Sequence, residues 1–258
     1  MLEKVDSRRL SYFLPNVFTA LNMACGFGAV LAAMRGRFQN ACLLLILGAI
    51  FDSFDGRVAR LTGTQSEFGE QFDSLSDLVA FGFAPAILMY NCFLHHLGRV
   101  GIALSFLYLL CGALRLARFN VNVHRVDPNF FQGLPIPSAA LAMVGLVLIT
   151  RAYPTMLGHN RWIPALYTLV YAFLMVSTIP FASFKKSPWV KRHRKLVFLL
   201  IFVLLAAVFI YHEEMIFGLI SVYVLGCVAY DIYHWHQFRV LDEDDEEGLA
   251  EDAPGKDE

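Results

Sequence analysis

Apolar residues run along this chain in long blocks separated by short polar stretches. Eight such blocks fall near 17–34, 38–59, 74–94, 100–119, 136–153, 161–182, 196–211 and 215–233. Most approach the roughly 20 residues that an α-helix needs to cross about 30 Å of hydrocarbon. Inside a bilayer every backbone N–H and C=O must be bonded within the structure, and helices do this alone. The pattern therefore predicts an all-α, polytopic membrane helix bundle with short connections between antiparallel neighbours. Residues 1–14 read as an interfacial juxtamembrane segment, with Leu2, Val5, Tyr12 and Phe13 toward lipid. The last stretch, 241–258, is acidic and poor in aromatics, the composition of a solvated, disordered tail. No internal repeat is evident, so the inverted-repeat design of many transporters is not indicated.

Composition supports this class: 57% of residues are hydrophobic and 17% charged, against about 25% charged in soluble domains. A net charge of −1 gives no reason to expect a nucleic-acid partner. The five cysteines stand singly in apolar segments, a pattern of small buried hydrophobes rather than a zinc or disulfide framework. The start, MLEKVDSRRLSYFLPN, lacks a small-residue cleavage site and is not read as a cleaved signal peptide. With the N-terminus cytoplasmic and eight spans alternating, 16 of the 21 basic residues fall on the cytoplasmic side and five on the other. That is the direction the positive-inside rule requires, and it puts both termini and the acidic cluster on the cytoplasmic side. The basic loop 185–195 then serves topology and meets anionic headgroups. His234-Trp235-His236 reads as an interfacial anchor.

The second block breaks the apolar pattern. Its last turns carry Asp52, Asp55, Gly56, Arg57, Ala59 and Arg60, and after eight residues come Gly69, Asp73 and Asp77. Helical residues three or four apart share a face. Asp52, Asp55, Gly56 and Arg60 thus line one groove, and Asp73 and Asp77 form an acidic face on the next helix. A turn containing Thr62, Gly63 and Thr64 lets these faces oppose each other. A single aspartate in a bilayer costs roughly 2.5–3.5 kcal/mol, and four close together repel further. Two arginines, Arg57 and Arg60, are too few to neutralise four carboxylates. A hard divalent cation takes carboxylate oxygens, and two ions about 3.5–4 Å apart clamp a phosphoryl centre. Gly56 and Gly69 leave room for a ligand beside the helices, although a lone membrane glycine commonly serves helix packing. Arg60 suits a phosphate, and a bare juxtamembrane arginine is also an ordinary snorkelling anchor.

Asp-x2-Asp-Gly-x2-Ala-Arg-x8-Gly-x3-Asp-x3-Asp resembles the signature of the CDP-alcohol phosphotransferases, and residues 52–77 match every position and both spacings. The resemblance implies a six-helix core, here 15–183, followed by the basic loop and two extra C-terminal transmembrane helices within 184–235. It also implies a CDP-linked donor from which CMP leaves, a Mg2+ or Mn2+ requirement met by two ions, and homodimers. On that resemblance Asp52, Asp55 and Asp73 ligate metal, and Asp77 stands near the metal and is the general base for the acceptor hydroxyl. Gly56, Ala59, Arg60 and Gly69 shape the CDP pocket, joined by Asn16, Thr19 and Asn22 at the start of the first span.

Two further stretches, Arg115-Leu-Ala-Arg118-Phe-Asn120 and FQGLPIPSAA (131–140), resemble the membrane-type phosphatidylserine synthases, a branch of that family. This likeness implies CDP-diacylglycerol as donor, L-serine as acceptor and the cytoplasmic membrane of a bacterium or archaeon. Arg115, Arg118 and Asn120 are then the acceptor-binding residues, the arginines supplying a cation for the serine carboxylate; each equally serves positive-inside topology. Other acceptors, glycerol 3-phosphate, inositol phosphate or choline, stay open within the family. An ion-coupled transporter is the rival from another class; it expects acids near mid-membrane and repeat symmetry, whereas this cluster lies toward one face. A non-catalytic scaffold leaves the aspartate spacing without a reason.

Overall fold

The computed structural model describes residues 7–64, 66–122, 130–155, 160, 162–182 and 214–229. Its helices are α1 (Ser7–Met34), α2 (Phe38–Thr62), α3 (Glu67–Asp77), α4 (Ala84–Cys92), α5 (Arg99–Asn122), α6 (Ile136–Ala152), α7 (Trp162–Val176) and α8 (Glu214–Ala229). A π-helical turn, Leu78–Phe83, joins α3 to α4 in one rod, Glu67–Cys92. The all-helical bundle expected from the apolar blocks is present. It carries one addition, an antiparallel ribbon of β1 (Phe130–Gln132) and β2 (Pro180–Ala182) in which Phe131 faces Phe181.

Among the described residues three stretches are long and apolar enough to cross a membrane: Pro15–Met34, Glu67–Cys92 and Arg99–Val121. Helix α2 has the length, at 25 residues, but carries charge in its last turns. Helices α6, α7 and α8 are shorter apolar helices. The expected span 161–182 ends as a helix at Val176, because a residue before proline disfavours the helical region and Pro180 opens β2 instead. The expected interfacial segment is, from Ser7 onward, continuous with the first span. The block at 196–211, the basic loop and the acidic tail lie outside the described residues.

Helix α6 is the hub, with every residue from Ala142 to Ile149 buried. Helix α8 closes its outer side: a Cβ built on Gly145 would stand 2.9 Å from the Phe217 Cα. Small residues at such crossings let backbones approach, which supplies the packing that drives helix association in lipid. Between α1 and the π turn the approach is closer still, a Gly26 Cβ meeting the Ala80 Cα at 2.6 Å. Gly26→Val is therefore expected to pry α1 from the rod, costing about 1–3 kcal/mol as for overpacked cores. Thermal unfolding in detergent, compared with a neutral change at exposed Phe27, measures it.

Candidate active site

Four helices meet at one end of the bundle. Gly63, with φ +64°, adopts the left-handed conformation that ends α2, and its N–H bonds the Ala59 carbonyl. Three residues later Ser66 caps α3, its Oγ accepting from the Gly69 N–H at 3.1 Å. This tight reversal sets the C-terminal turns of α2 against α3, so the two acidic faces oppose each other as their spacing predicted. Carboxylate oxygens of Asp52, Asp55 and Asp73 lie within 4.8 Å of one another. Across the groove Asp52 contacts Asp77, and Asp55 contacts Asp73.

Helix α1 supplies the polar wall. The Thr19 hydroxyl lies 3.0 Å from Asp55 Oδ2 and 3.2 Å from the Pro15 carbonyl, and Asn22 Nδ2 donates to Asp77 Oδ1 at 3.2 Å. Ser76 Oγ donates back to the Thr19 carbonyl at 2.9 Å. Asp55 accepts from the N–H of Gly56. Asp55, Asp77, Thr19 and Asn22 are all buried.

The donor set suits a hard cation. Asp73 Oδ1 and Asn22 Oδ1 are buried without a hydrogen-bond partner, and no ion pair neutralises the four aspartates among the described residues. Arg60 turns its Nε to the Gly56 carbonyl one turn back, at 2.9 Å. Converging carboxylate oxygens with an orphaned lone pair fit Mg2+, Mn2+ or Ca2+ chemistry and not a thiolate-seeking metal.

Beside the carboxylates opens a cavity of about 120 Å³ lined by Pro15, Asn16, Thr19, Asp55, Gly56, Ala59, Thr64, Ser66, Gly69, Glu70 and Asp73. A Cβ on Gly56 would meet nothing within 4 Å, so this glycine keeps the cavity open rather than serving a helix contact.

A family model described as CDP-alcohol phosphatidyltransferase matches residues 12–170, which span every element of this site. The chain belongs to the CDP-alcohol phosphatidyltransferase family. Among its relatives, a CDP-diacylglycerol–serine O-phosphatidyltransferase of Helicobacter pylori is 38% identical over 224 residues, 87% of this chain and 91% of the relative. Proteins of the same name from Bacillus subtilis (36% identical, 67% of this chain, 92% of the relative) and Methanocaldococcus jannaschii (39%, 64% and 72%) are also similar.

As a CDP-alcohol phosphatidyltransferase the chain arranges the residues singled out from its sequence in three sets. Asp52, Asp55 and Asp73 form the cation-suited cluster, with Asp77 against its edge. Asn16, Thr19, Gly56, Ala59 and Gly69 line the cavity; Asn22 and Arg60 do not, the first holding Asp77 and the second folded back on α2. The third set divides. Arg115 is buried, its guanidinium 5.3 Å from the Phe119 ring centroid and its charge acting on Asp77. Arg118 instead reaches the end of α7, donating to the Val176 and Ser177 carbonyls at 2.9 and 3.0 Å. Asn120 pairs with Ser74, its Nδ2 donating to Oγ at 3.0 Å. Ser66 and Glu70 were not anticipated; their signal was available, for they stand seven and three residues before Asp73 on the same helical face.

Proposed function

We propose that this chain transfers the phosphatidyl group of CDP-diacylglycerol to the hydroxyl of L-serine, releasing CMP. The observation that carries the reading is the convergence of the 52–77 signature, Arg60 excepted, on a single acidic groove beside a cavity. Support for serine comes from the names of relatives that align over most of the chain. Arg115, poised near Asp77, offers a cation for the serine carboxylate, and Arg118 and Asn120 border the same end through α7 and Ser74.

Asp52, Asp55 and Asp73, with Asp77 beside them, would hold Mg2+ or Mn2+, one ion or two, which screens the diphosphate and the departing CMP. The cavity of Asn16, Thr19, Gly56, Ala59 and Gly69 binds the cytidine diphosphate portion. Asp77 takes the proton of the serine hydroxyl as its oxygen bonds to the phosphorus that bears diacylglycerol. The bond from that phosphorus to the CMP oxygen breaks in line, and no covalent enzyme intermediate is needed. The basic-residue asymmetry supports a site open to the cytoplasm, and the family resemblance supports a homodimer.

The test is CMP release by purified protein in detergent with CDP-diacylglycerol, Mg2+ or Mn2+, and each acceptor in turn. Release that depends on serine is expected. Release only with glycerol 3-phosphate, inositol phosphate or choline overturns the acceptor and keeps the family chemistry. Gly56→Leu is expected to fill the cavity and weaken CDP-diacylglycerol binding at least about tenfold, roughly 1.4 kcal/mol. Because its side chain enters open space, thermal unfolding should stay at the wild-type temperature; isothermal titration and a melting curve together check this.

A further inference from the structure

The turn that follows Asp77 is irregular for a reason written in the sequence. In an α-helix the Phe81 carbonyl would accept from the amide of residue 85, but that residue is Pro85, which has no N–H and whose ring crowds the carbonyl four residues back. The helix widens there instead: Leu78–Phe83 is π-helical, and the Ala84 N–H reaches the Val79 carbonyl, five residues back. From α5 the hydroxyl of Tyr108 donates to the Phe81 carbonyl at 3.3 Å. Tyr108 is fully buried, among the largest side chains in the core. In a bilayer a carbonyl released by proline is commonly re-satisfied by a side chain of a neighbouring helix.

We propose that Tyr108 is a positioning residue for the catalytic face of α3, acting through this π turn. A π turn holds one extra residue, and one residue is about 100° of helix rotation. The α4 half of the rod is locked in the core by Ala84, Leu88 and Met89. Slippage of the turn toward α geometry would therefore roll the α3 half, which carries Asp73 and Asp77, relative to α2. Phe81 is the pivot, and its carbonyl is what Tyr108 grips. Other contacts of the turn are apolar: Gly26 of α1 packs on Ala80, and Ile136 of α6 packs on Gly82 and Gly112. Among these contacts the Tyr108 hydroxyl is the one directional bond. Misplacement of catalytic groups by about 1 Å costs up to 100-fold in rate without loss of substrate contacts.

This inference rests on the proposed phosphatidyl transfer for its kinetic arm only. Tyr108→Phe keeps the ring and removes the hydroxyl. It should lower kcat about tenfold or more while KM for CDP-diacylglycerol stays within about twofold. A second arm needs no turnover: Mn2+ binding by full-length protein, followed by electron paramagnetic resonance, should weaken severalfold because Asp73 moves. Pro85→Ala restores an N–H for the Phe81 carbonyl, so adding Tyr108→Phe to it should produce no further loss in either readout. Wild-type kcat and Mn2+ affinity in Tyr108→Phe overturn the proposal. So does a lowered melting temperature with kcat per folded molecule unchanged, and so does full additivity with Pro85→Ala. If the wild-type protein itself releases no CMP with any acceptor, the proposed function fails, and the Mn2+ arm still decides the role of Tyr108.

Discussion

Asp77→Asn is expected to reduce serine-dependent CMP release by about 10²–10⁴-fold, the range for loss of a general base, with CDP-diacylglycerol binding held within a few-fold. The substitution preserves shape and still offers an oxygen to Asn22 Nδ2, which donates to Asp77 at 3.2 Å. What is lost is the negative charge and, with it, the capacity to take a proton. Asp77 stands outside the trio whose oxygens lie within 4.8 Å of one another, and it is buried beside Asp52 and under the influence of Arg115. These surroundings suit a group that meets the acceptor rather than one that principally anchors a cation. Single-turnover assays paired with ligand titration separate the two roles. Full activity in the variant removes Asp77 as the base; a matching loss of CDP-diacylglycerol binding reassigns it to the binding set.

Asp73→Asn should produce effects of opposite sign with and without cation. Wild-type protein without a divalent ion holds its acidic groups together with a buried, unpartnered Asp73 Oδ1. Removing one negative charge relieves repulsion, so the variant without metal should melt at a higher temperature than wild type. Saturating Mn2+ should then stabilise the wild type by about 2.7 kcal/mol at a hundred times its dissociation constant, and the variant far less. The order of the two melting temperatures should reverse on adding Mn2+, while turnover in the variant falls below detection. Equal Mn2+ stabilisation of both proteins would remove Asp73 from the cation site.

Much of this architecture was legible because membrane physics is strict. Long apolar blocks have few alternatives to helices, and α1, α2, the rod and α5 lie close to the predicted spans. The acidic groove was legible too, since i, i+3 and i, i+4 spacing fixes which aspartates share a face. What escaped depends on long-range pairing. Periodicity does not tell that Arg118 reaches the end of α7 while Arg115, one turn earlier, is buried over the Phe119 ring. Three-residue strands carry too little alternation to announce themselves, so the β1–β2 ribbon has no signature in the apolar pattern. Nor does periodicity announce that Asn22, placed by the resemblance among the nucleotide-binding residues, donates its amide to Asp77. The π turn was foreshadowed by Pro85, but a proline inside an apolar run equally signals a kink.

The closure of α6 by α8 bears on the timing of assembly. Phe217, which seats on Gly145, is added about 70 residues later, roughly 4–14 s at ordinary rates of synthesis. During that interval the outer side of the most buried helix must face lipid or the insertion machinery, with Gly145 forming a bare notch. The acidic groove, by contrast, has all four of its aspartates once Asp77 has emerged. Ribosome-bound chains ending before α8 should therefore own every aspartate of the groove while lacking the clasp that seals the hub, which makes α8 a lock applied after the acidic residues are already in place.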